Sequence, residues 1–483
     1  MTRACRLCLP LLLLCLCLAA GADTLTVDPA STYGYTSISE AVAAAAPGDE
    51  ILICAGTYGE TETFPIVIDK PLTLKGQGAV LKSPPFTTLV EVHADDVTLE
   101  GLRFDILKWG VVADLSSRLT VKNCRFVLAD SMYRTSSTAV WTRGMKHCVF
   151  ENNTFEGLGI CMAGDPLTKS SKGRAVLTGL SEVGEDTEYF TTHVFSGNLV
   201  NGKPLYYFHS RQDLTIPSDA GGAVCACCDG VTFRDADVSD SSIGFEIVYC
   251  DHVRVSNITA DRSGIFGTYT AKCHDVVLEN LHVHESNHAI DTRDCDGVIV
   301  RNSETIDSDQ GLFFSMCRNY IAENCLIRGC GFGLFTAVGH DGLIRDCVME
   351  NNADGIYLQN ETDTLLTSCR VTGSRVVGLR VLKSTCRADR LTLEDNWTGV
   401  ILYDSRGIIL TDSQIRRSGA AGVYFKAAER ITLSRCAFAD QTHLETDGTV
   451  ENVWLFGCTL TGSPEKNTRY KGGEPQLIDC IWQ

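Results

Sequence analysis

Val231-Thr232-Phe233-Arg234-Asp235 is followed by Val253-Arg254-Val255-Ser256-Asn257, Val276-Val277-Leu278-Glu279-Asn280 and Val298-Ile299-Val300-Arg301-Asn302. The same pattern returns at Tyr320 to Asn324 and Gly342 to Asp346, so successive starts lie 22 or 23 residues apart. The register continues through positions 364, 386, 408, 431, 453 and 475, with earlier copies at Val97 and Leu119 and a degenerate one over Cys148 to Phe155. Short alternating segments at a fixed interval are the mark of a solenoid, whose turns bury their apolar faces only by stacking. A 22-residue turn without helical spacing excludes helical repeats, and the Leu/Asn consensus of leucine-rich repeats is missing. The expected fold is all-β, a single-stranded parallel β-helix of about 22-residue coils. The fifth position carries Asn or Asp (Asn123, Asn152, Asp235, Asn257, Asn280, Asn302, Asn324, Asp346, Asp412, Asp479). These residues tolerate the left-handed backbone of a tight corner, and their side chains can ladder between coils. A row of Gly244, Gly267, Gly311, Gly333, Gly355, Gly378, Gly399 and Gly422 is read as a second corner. The one helical stretch, Ser37 to Ala46, opens with a capping box and is expected to cap the first coil.

The 483 residues include 23 cysteines, an unusual number for a chain with 44% hydrophobic residues and a net charge of −18. Arg3 and Arg6 precede an apolar run to Ala20, and Ala20-Gly21-Ala22 is a small-x-small cleavage pattern, so 1–22 reads as a signal peptide. Its removal takes two arginines and four cysteines, leaving a charge of −20 and 19 cysteines. So acidic a chain is unsuited to nucleic acid, and no later stretch could span a membrane. Repeat spacing sorts most cysteines into two columns. One holds Cys124, Cys325, Cys347, Cys369, Cys436, Cys458 and Cys480, the other Cys228, Cys250, Cys273, Cys295 and Cys317. They are expected to be stacked, inward-facing free thiols. Disulfides within a column rank second, and metal-thiolate binding third. The expected organisation is 23–96 for the cap and first coils, 97–163 for early coils, 164–222 for an irregular insertion with a hairpin-like excursion, and 223–483 for regular coils. Ser463 to Gly473 is the candidate to cover the last coil, with self-association at that edge as the alternative.

If the residue after each glycine points inward, the next points out. That outward row reads Glu246, Tyr269, Asp291, Phe313, Phe335, Tyr357, Arg380, Ile401 and Tyr424, with Arg293, Gln359, Tyr403 and Lys426 in the following one. Aromatics among charged groups make a sugar-binding strip: Tyr269, Phe313, Phe335, Tyr357, Arg380 and Tyr424. Glu246 and Asp291, two coils and so about 9–10 Å apart, are the candidate acid pair for a lyase or hydrolase, with Arg293 beside them. His282 and His284 flank inward Val283 and are candidate Cu²⁺ or Zn²⁺ ligands. Cys225 and Cys227 are expected on one face as a further soft-metal candidate. Calcium and copper are the cofactors the pattern admits, and neither is required. Asn152, Asn257, Asn360 and Asn396 begin glycosylation sequons, with Asn360 and Asn396 the better candidates.

Ser37-Ile38-Ser39-Glu40-Ala41-Val42, Pro47-Gly48-Asp49-Glu50-Ile51 and Gly56-Thr57-Tyr58 resemble the opening of many secreted right-handed β-helix proteins. Asn198 to Tyr207, with Pro217-Ser218-Asp219-Ala220-Gly221, looks like the NosD-like β-helix group. The resemblance implies the pectin-lyase-like superfold and a secreted, cell-surface or periplasmic location. That superfold includes polysaccharide lyases, hydrolases, epimerases, adhesins and a copper-site maturation factor. No stretch matches a family catalytic motif. The expected role is binding of a polysaccharide or cell-envelope glycan. A lyase or hydrolase and a NosD-like copper-handling factor are the alternatives.

Overall fold

The structure, a computed structural model, describes residues 22–483 except 32–33, 61, 83, 165–166, 170–174, 178–182 and 441. The expected signal segment therefore lies, but for its last residue, outside the described residues. The chain is a parallel β-solenoid wound in two stacks. In the first, strands Thr24–Val27, Glu50–Ile53, Thr73–Gly76, Thr98–Glu100, Thr120–Lys122, Val149–Glu151 and Val194–Ser196 line up in one sheet. Inward residues of successive coils stack, as in Phe104, Phe126 and Phe155 with ring centroids 4.6 and 5.1 Å apart. The helix Ile38–Ala44 buries Ile38, Ala41 and Val42 in this stack. Ser37 accepts from the Glu40 N–H, and Glu62 accepts from Ile38 and Ser39 N–H groups at 2.7 and 3.0 Å.

The register break is shorter than the sequence suggests. Leu167–Lys169 and Ala175–Leu177 form an antiparallel hairpin, but Val194–Ser196 already pairs with Val149–Glu151. The return is fixed by His193, whose Nδ1 accepts the buried Cys148 N–H at 3.1 Å while its Nε2 meets the Tyr189 carbonyl at 2.8 Å. Burial lowers the His193 pKa to about 4, keeping the ring neutral and able to accept. The chain then reverses at Asn201-Gly202, both with left-handed backbone (φ 50° and 80°), in the two-residue hairpin such a pair favours. The strand Lys203–His209 starts the second stack, so 203–222 is regular coil. Ser463 to Gly473 does not cover the last coil either, because Thr468–Gly472 adds a further parallel strand against Leu444–Gly448.

The Asn/Asp corners adopt the expected left-handed backbone, from Asn123 (φ 53°) to Asp479 (φ 51°). Their side chains ladder: Asn280 donates to Asn257 at 3.0 Å, and Asn257 to Asp235 at 2.8 Å. The glycine row is different from expectation. Gly244 is the second residue of the strand Ile243–Val248, and these glycines are needed for close approach, not for a corner. A Cβ on Gly333 would sit 2.4 Å from the Gly355 carbonyl oxygen of the next coil.

The cysteine columns also do more than fill space. At each corner a backbone N–H is turned into the dry core, where an unpaired donor is costly. The acceptor comes from the next coil. Cys228 N–H donates to Cys250 Sγ at 3.3 Å and Cys250 N–H to Cys273 Sγ at 3.2 Å. The thiol then donates to the carbonyl two residues back, as Cys250 does to Val248 at 3.2 Å. Further along the same column Gly339 N–H donates to Glu361 Oε1, and Glu361 N–H to Ser384 Oγ. A third column uses Ser286, Ser308, Asn352, Asn396 and Asp440 in this role. Asn396 is thereby spoken for: buried, it accepts from Ser374 and donates to Val371, and it cannot serve as a glycan acceptor, whereas Asn360 is exposed. All described cysteines are free thiols, and all but Cys54, Cys227 and Cys480 are buried. Burial raises Cys124, Cys148 and Cys386 to about 12, which keeps them protonated and unreactive.

Two substitutions test this construction by thermal and guanidinium unfolding. Gly333→Ala should cost about 1–3 kcal/mol from overpacking. Cys250→Ala, which orphans the Cys228 N–H, should cost about 1–3 kcal/mol, and Cys250→Ser, which keeps an acceptor, should cost less.

Candidate functional site

Strand alternation places the outward row as expected. Phe245, Ile290, Leu312, Leu334, Ile356, Leu379, Val400 and Val423 enter the core. Glu246, Tyr269, Asp291, Phe313, Phe335, Tyr357, Arg380, Ile401 and Tyr424 lie opposite one another in consecutive coils. Their surroundings divide the row in two.

Its first part is covered by the end of the first stack. Ile160, Cys161 and Met162 pack in one cluster with Val224, Ile243, Val248, Phe266 and Tyr269. The strand Ile160–Ala163 is an edge, and the second stack supplies its partners. Gly159 N–H donates to Ser242 Oγ at 2.8 Å and Met162 N–H to Glu246 Oε2 at 3.2 Å. Ser136 N–H donates to the Gly264 carbonyl, and a Cβ on Gly264 would meet the Arg134 carbonyl at 2.7 Å.

The candidate acid pair is therefore not in an open groove. Glu246 and Asp291 are 1% and 0% exposed, and Tyr269 at 1% cannot stack on a sugar. Asp291 is held by Arg293 through two bonds of 2.7 and 2.8 Å and by His288 Nδ1 at 2.8 Å. Burial alone would raise the Asp291 pKa, but Arg293 and His288 outweigh it and hold the carboxyl below its ordinary range. The Arg293 guanidinium lies over the rings of Phe266, Tyr269 and Phe313 at 5.4 to 5.8 Å. These groups form an ion pair at the joint in which Asp291 is buried and His288 and Arg293 are partly exposed. Among the described residues only the Met162 N–H is within reach of the Glu246 carboxylate, and burial raises its pKa to about 8.

The second part of the row is partly exposed, from Phe335 onward. Phe313, Phe335 and Tyr357 stack on each other at 4.9 and 4.8 Å, and Arg380 covers Tyr357 at 5.4 Å. The ring faces are thus used internally, and the row offers ring edges and hydroxyls. Arg380 is clamped by Asp354 at 2.9 and 3.0 Å, and the Tyr424 hydroxyl donates to Asp447 at 3.0 Å. In the next row Lys426 lies over Tyr403 at 5.3 Å. Across the adjacent corner runs a groove of about 760 Å³ lined by Arg387, Arg406, Arg430, Leu365, Ile409, Asp341 and Asp363. The outward-row reading had no access to this groove, because its residues come from the corner and the following sheet.

His282 and His284 do share a face, and the next coil brings Glu304 opposite His282. Cys225 and Cys227 do not share one, since Cys227 has left-handed backbone (φ 52°), which breaks the alternation. Cys225 instead meets Cys228 and Cys250 in the core. A cleft of about 580 Å³ between the stacks is lined by Arg134, Lys203, Asp237, Asp240, Asp261 and Arg262.

Glu246 gives a pH signature. Its folded pKa lies above the unfolded value, so its contribution to stability is full below about pH 4.5 and is lost as pH rises through about 8. Glu246→Gln should flatten stability over that window and stabilise the protein at pH 8 by on the order of a few kcal/mol, read from unfolding midpoints against pH.

Comparison with known proteins agrees with this architecture. A model described as right handed beta helix region matches residues 210–343, 244–387 and 337–473, and one for a protein family of unknown function (DUF1565) matches residues 19–203. No curated protein matches. Among solved structures the chain is similar to the periplasmic alginate epimerase AlgG, with 11% identity over 81% of this chain and 85% of that one and a TM-score of 0.34. It is also similar to a hyperthermoactive exopolygalacturonase from Thermotoga maritima, with 12% identity over 86% and 91% and a TM-score of 0.28. The surface protein and adhesin PfbA of Streptococcus pneumoniae matches with 10% identity over 91% and 94% and a TM-score of 0.24. Scores this low carry no inference about activity or substrate. The family model, repeated across 210–473 and so over more than half of the 483 residues, shows that the chain belongs to the right-handed β-helix family.

Proposed function

We propose that this is an extracellular, non-catalytic β-helix protein that binds an acidic polysaccharide along its C-terminal coils. The observation that carries the reading is the groove around Arg387, Arg406 and Arg430, where cations outnumber carboxylates on a chain of net charge −18. Among the described residues Arg387 and Lys426 make no ion pair, whereas Arg406 and Arg430 share Glu429. Arg387 beside apolar Leu365 and Ile409, 39% and 37% exposed, suits a ligand that presents carboxylates or sulfates next to the C–H face of a sugar ring. Tyr357, Tyr403 and Tyr424 add hydroxyls on nearby coils, where a polymer laid across the strands would meet them. A lyase or hydrolase built on Glu246 and Asp291 is disfavoured by their burial. Export through the 1–22 segment is part of the proposal. Among the described residues no helix is long and apolar enough to cross a membrane.

Binding of polygalacturonate, alginate and a neutral glucan, measured by calorimetry, tests this. The acidic polymers should bind more tightly than the neutral one and weaken with salt. The double variant Arg387→Ala, Lys426→Ala should lose about tenfold or more in affinity, at about 1 kcal/mol or more per lost charge contact. Binding of none of the three, or unchanged affinity in the double variant, would overturn the reading.

A further inference from the structure

We infer that His282, His284 and Glu304 form a binding site for one divalent transition-metal ion, with Asp261 as the group that orients His284. The site is independent of the glycan surface. His282 and His284 lie two apart on the strand His274–His284, so both side chains leave the same face, while Val283 between them is buried in the core. The parallel register sets Glu304 directly opposite His282 on the next coil. The ligand atoms of all three lie within 4.8 Å of one another. Glu304 Oε1 is 3.0 Å from His284 Nε2 and 3.6 Å from His282 Nδ1. Bonds of about 2.0–2.1 Å in a tetrahedron place ligand atoms about 3.3 Å apart, so an ion fits here with small side-chain rotations and no movement of the backbone.

The supporting residue is already in place. Asp261 Oδ1 accepts the His284 backbone N–H at 2.9 Å and lies 3.7 Å from its Nδ1, the ring nitrogen facing away from Glu304. A carboxylate behind a ligating imidazole fixes its tautomer and raises its basicity. Two imidazoles and one carboxylate select Zn²⁺, Cu²⁺ or Ni²⁺ over Ca²⁺, which prefers an all-oxygen shell. The side chains are 54%, 32% and 31% exposed, so an ion can enter from solvent, and three protein ligands leave a coordination position open. Asp261 also lines the cleft between the stacks.

The test uses the full chain, freed of its leader and carrying no polyhistidine tag. Equilibrium dialysis and calorimetry should find one equivalent of Zn²⁺ or Cu²⁺ and no comparable Ca²⁺ binding. Glu304→Gln and Asp261→Asn should each lower affinity about tenfold or more. His282→Ala with His284→Ala should abolish binding while leaving the metal-free circular dichroism and melting curve unchanged. In the Cu²⁺-loaded wild type, electron paramagnetic resonance should show two nitrogen ligands, a readout that needs no variant. Absence of binding at micromolar metal, binding that survives in the double histidine variant, or a sulfur-ligated spectrum that disappears in Cys225→Ser, Cys250→Ser would overturn the proposal.

Discussion

The buried backbone N–H groups at the corners of the coils are the constraint on which this structure rests. A solenoid with a dry interior must turn its chain several times per coil, and each turn points a donor away from water. At several corners the acceptor is a side chain borrowed from the next coil: Cys250 for Cys228, Ser286 for Ser263, Asn352 for Cys330, His193 for Cys148. This ties each coil to its neighbour through a specific side chain as well as through the sheets. It also explains why cysteine, serine, asparagine, aspartate and histidine exchange freely within a column. Each offers a compact acceptor. The thiol adds apolar bulk and a weak donor that returns to its own backbone.

The same need appears at the ends of the stacks, where a whole strand lacks a neighbour. The first stack solves it with the outer face of the second. Ser242 and Glu246 accept the edge N–H groups of Gly159 and Met162, and Phe266 and Tyr269 cover the open core. Glu246 is then held in an apolar joint with its pKa raised, while Asp291 two coils away stays ionised because Arg293 and His288 compensate it. Two carboxylates of one row thus have opposite electrostatic characters, and both serve the joint between stacks.

Beyond the joint, the scaffold presents chemistry on rigid strands at a fixed repeat. That rigidity is what makes a three-residue cluster such as His282, His284 and Glu304 meaningful, since register and alternation set its geometry with little conformational freedom left to lose.

The amino-acid sequence by itself determined the coil length, the left-handed Asn/Asp corners, the thiol columns and the membership of the outward row. Each follows from local chemistry repeated at a fixed interval, and period and alternation transmit it to three dimensions. The purpose of the glycines was misread, since Gly333 answers to a carbonyl one coil away, not to its own backbone angle. Asn396 was misread for the same reason: its sequon is local, but its amide is consumed by Ser374 and Val371. Only the tertiary structure decided that the chain reverses at Asn201-Gly202, and hence that Glu246, Tyr269 and Asp291 are buried while Phe335 to Tyr424 emerge. The repeat itself, by contrast, sets Glu304 one coil on from His282. A repeat specifies what lies one coil away. How one stack folds back onto another depends on a single turn and on contacts such as Gly159 with Ser242 and Ser136 with Asn287, 83 and 151 positions apart, which no periodicity encodes.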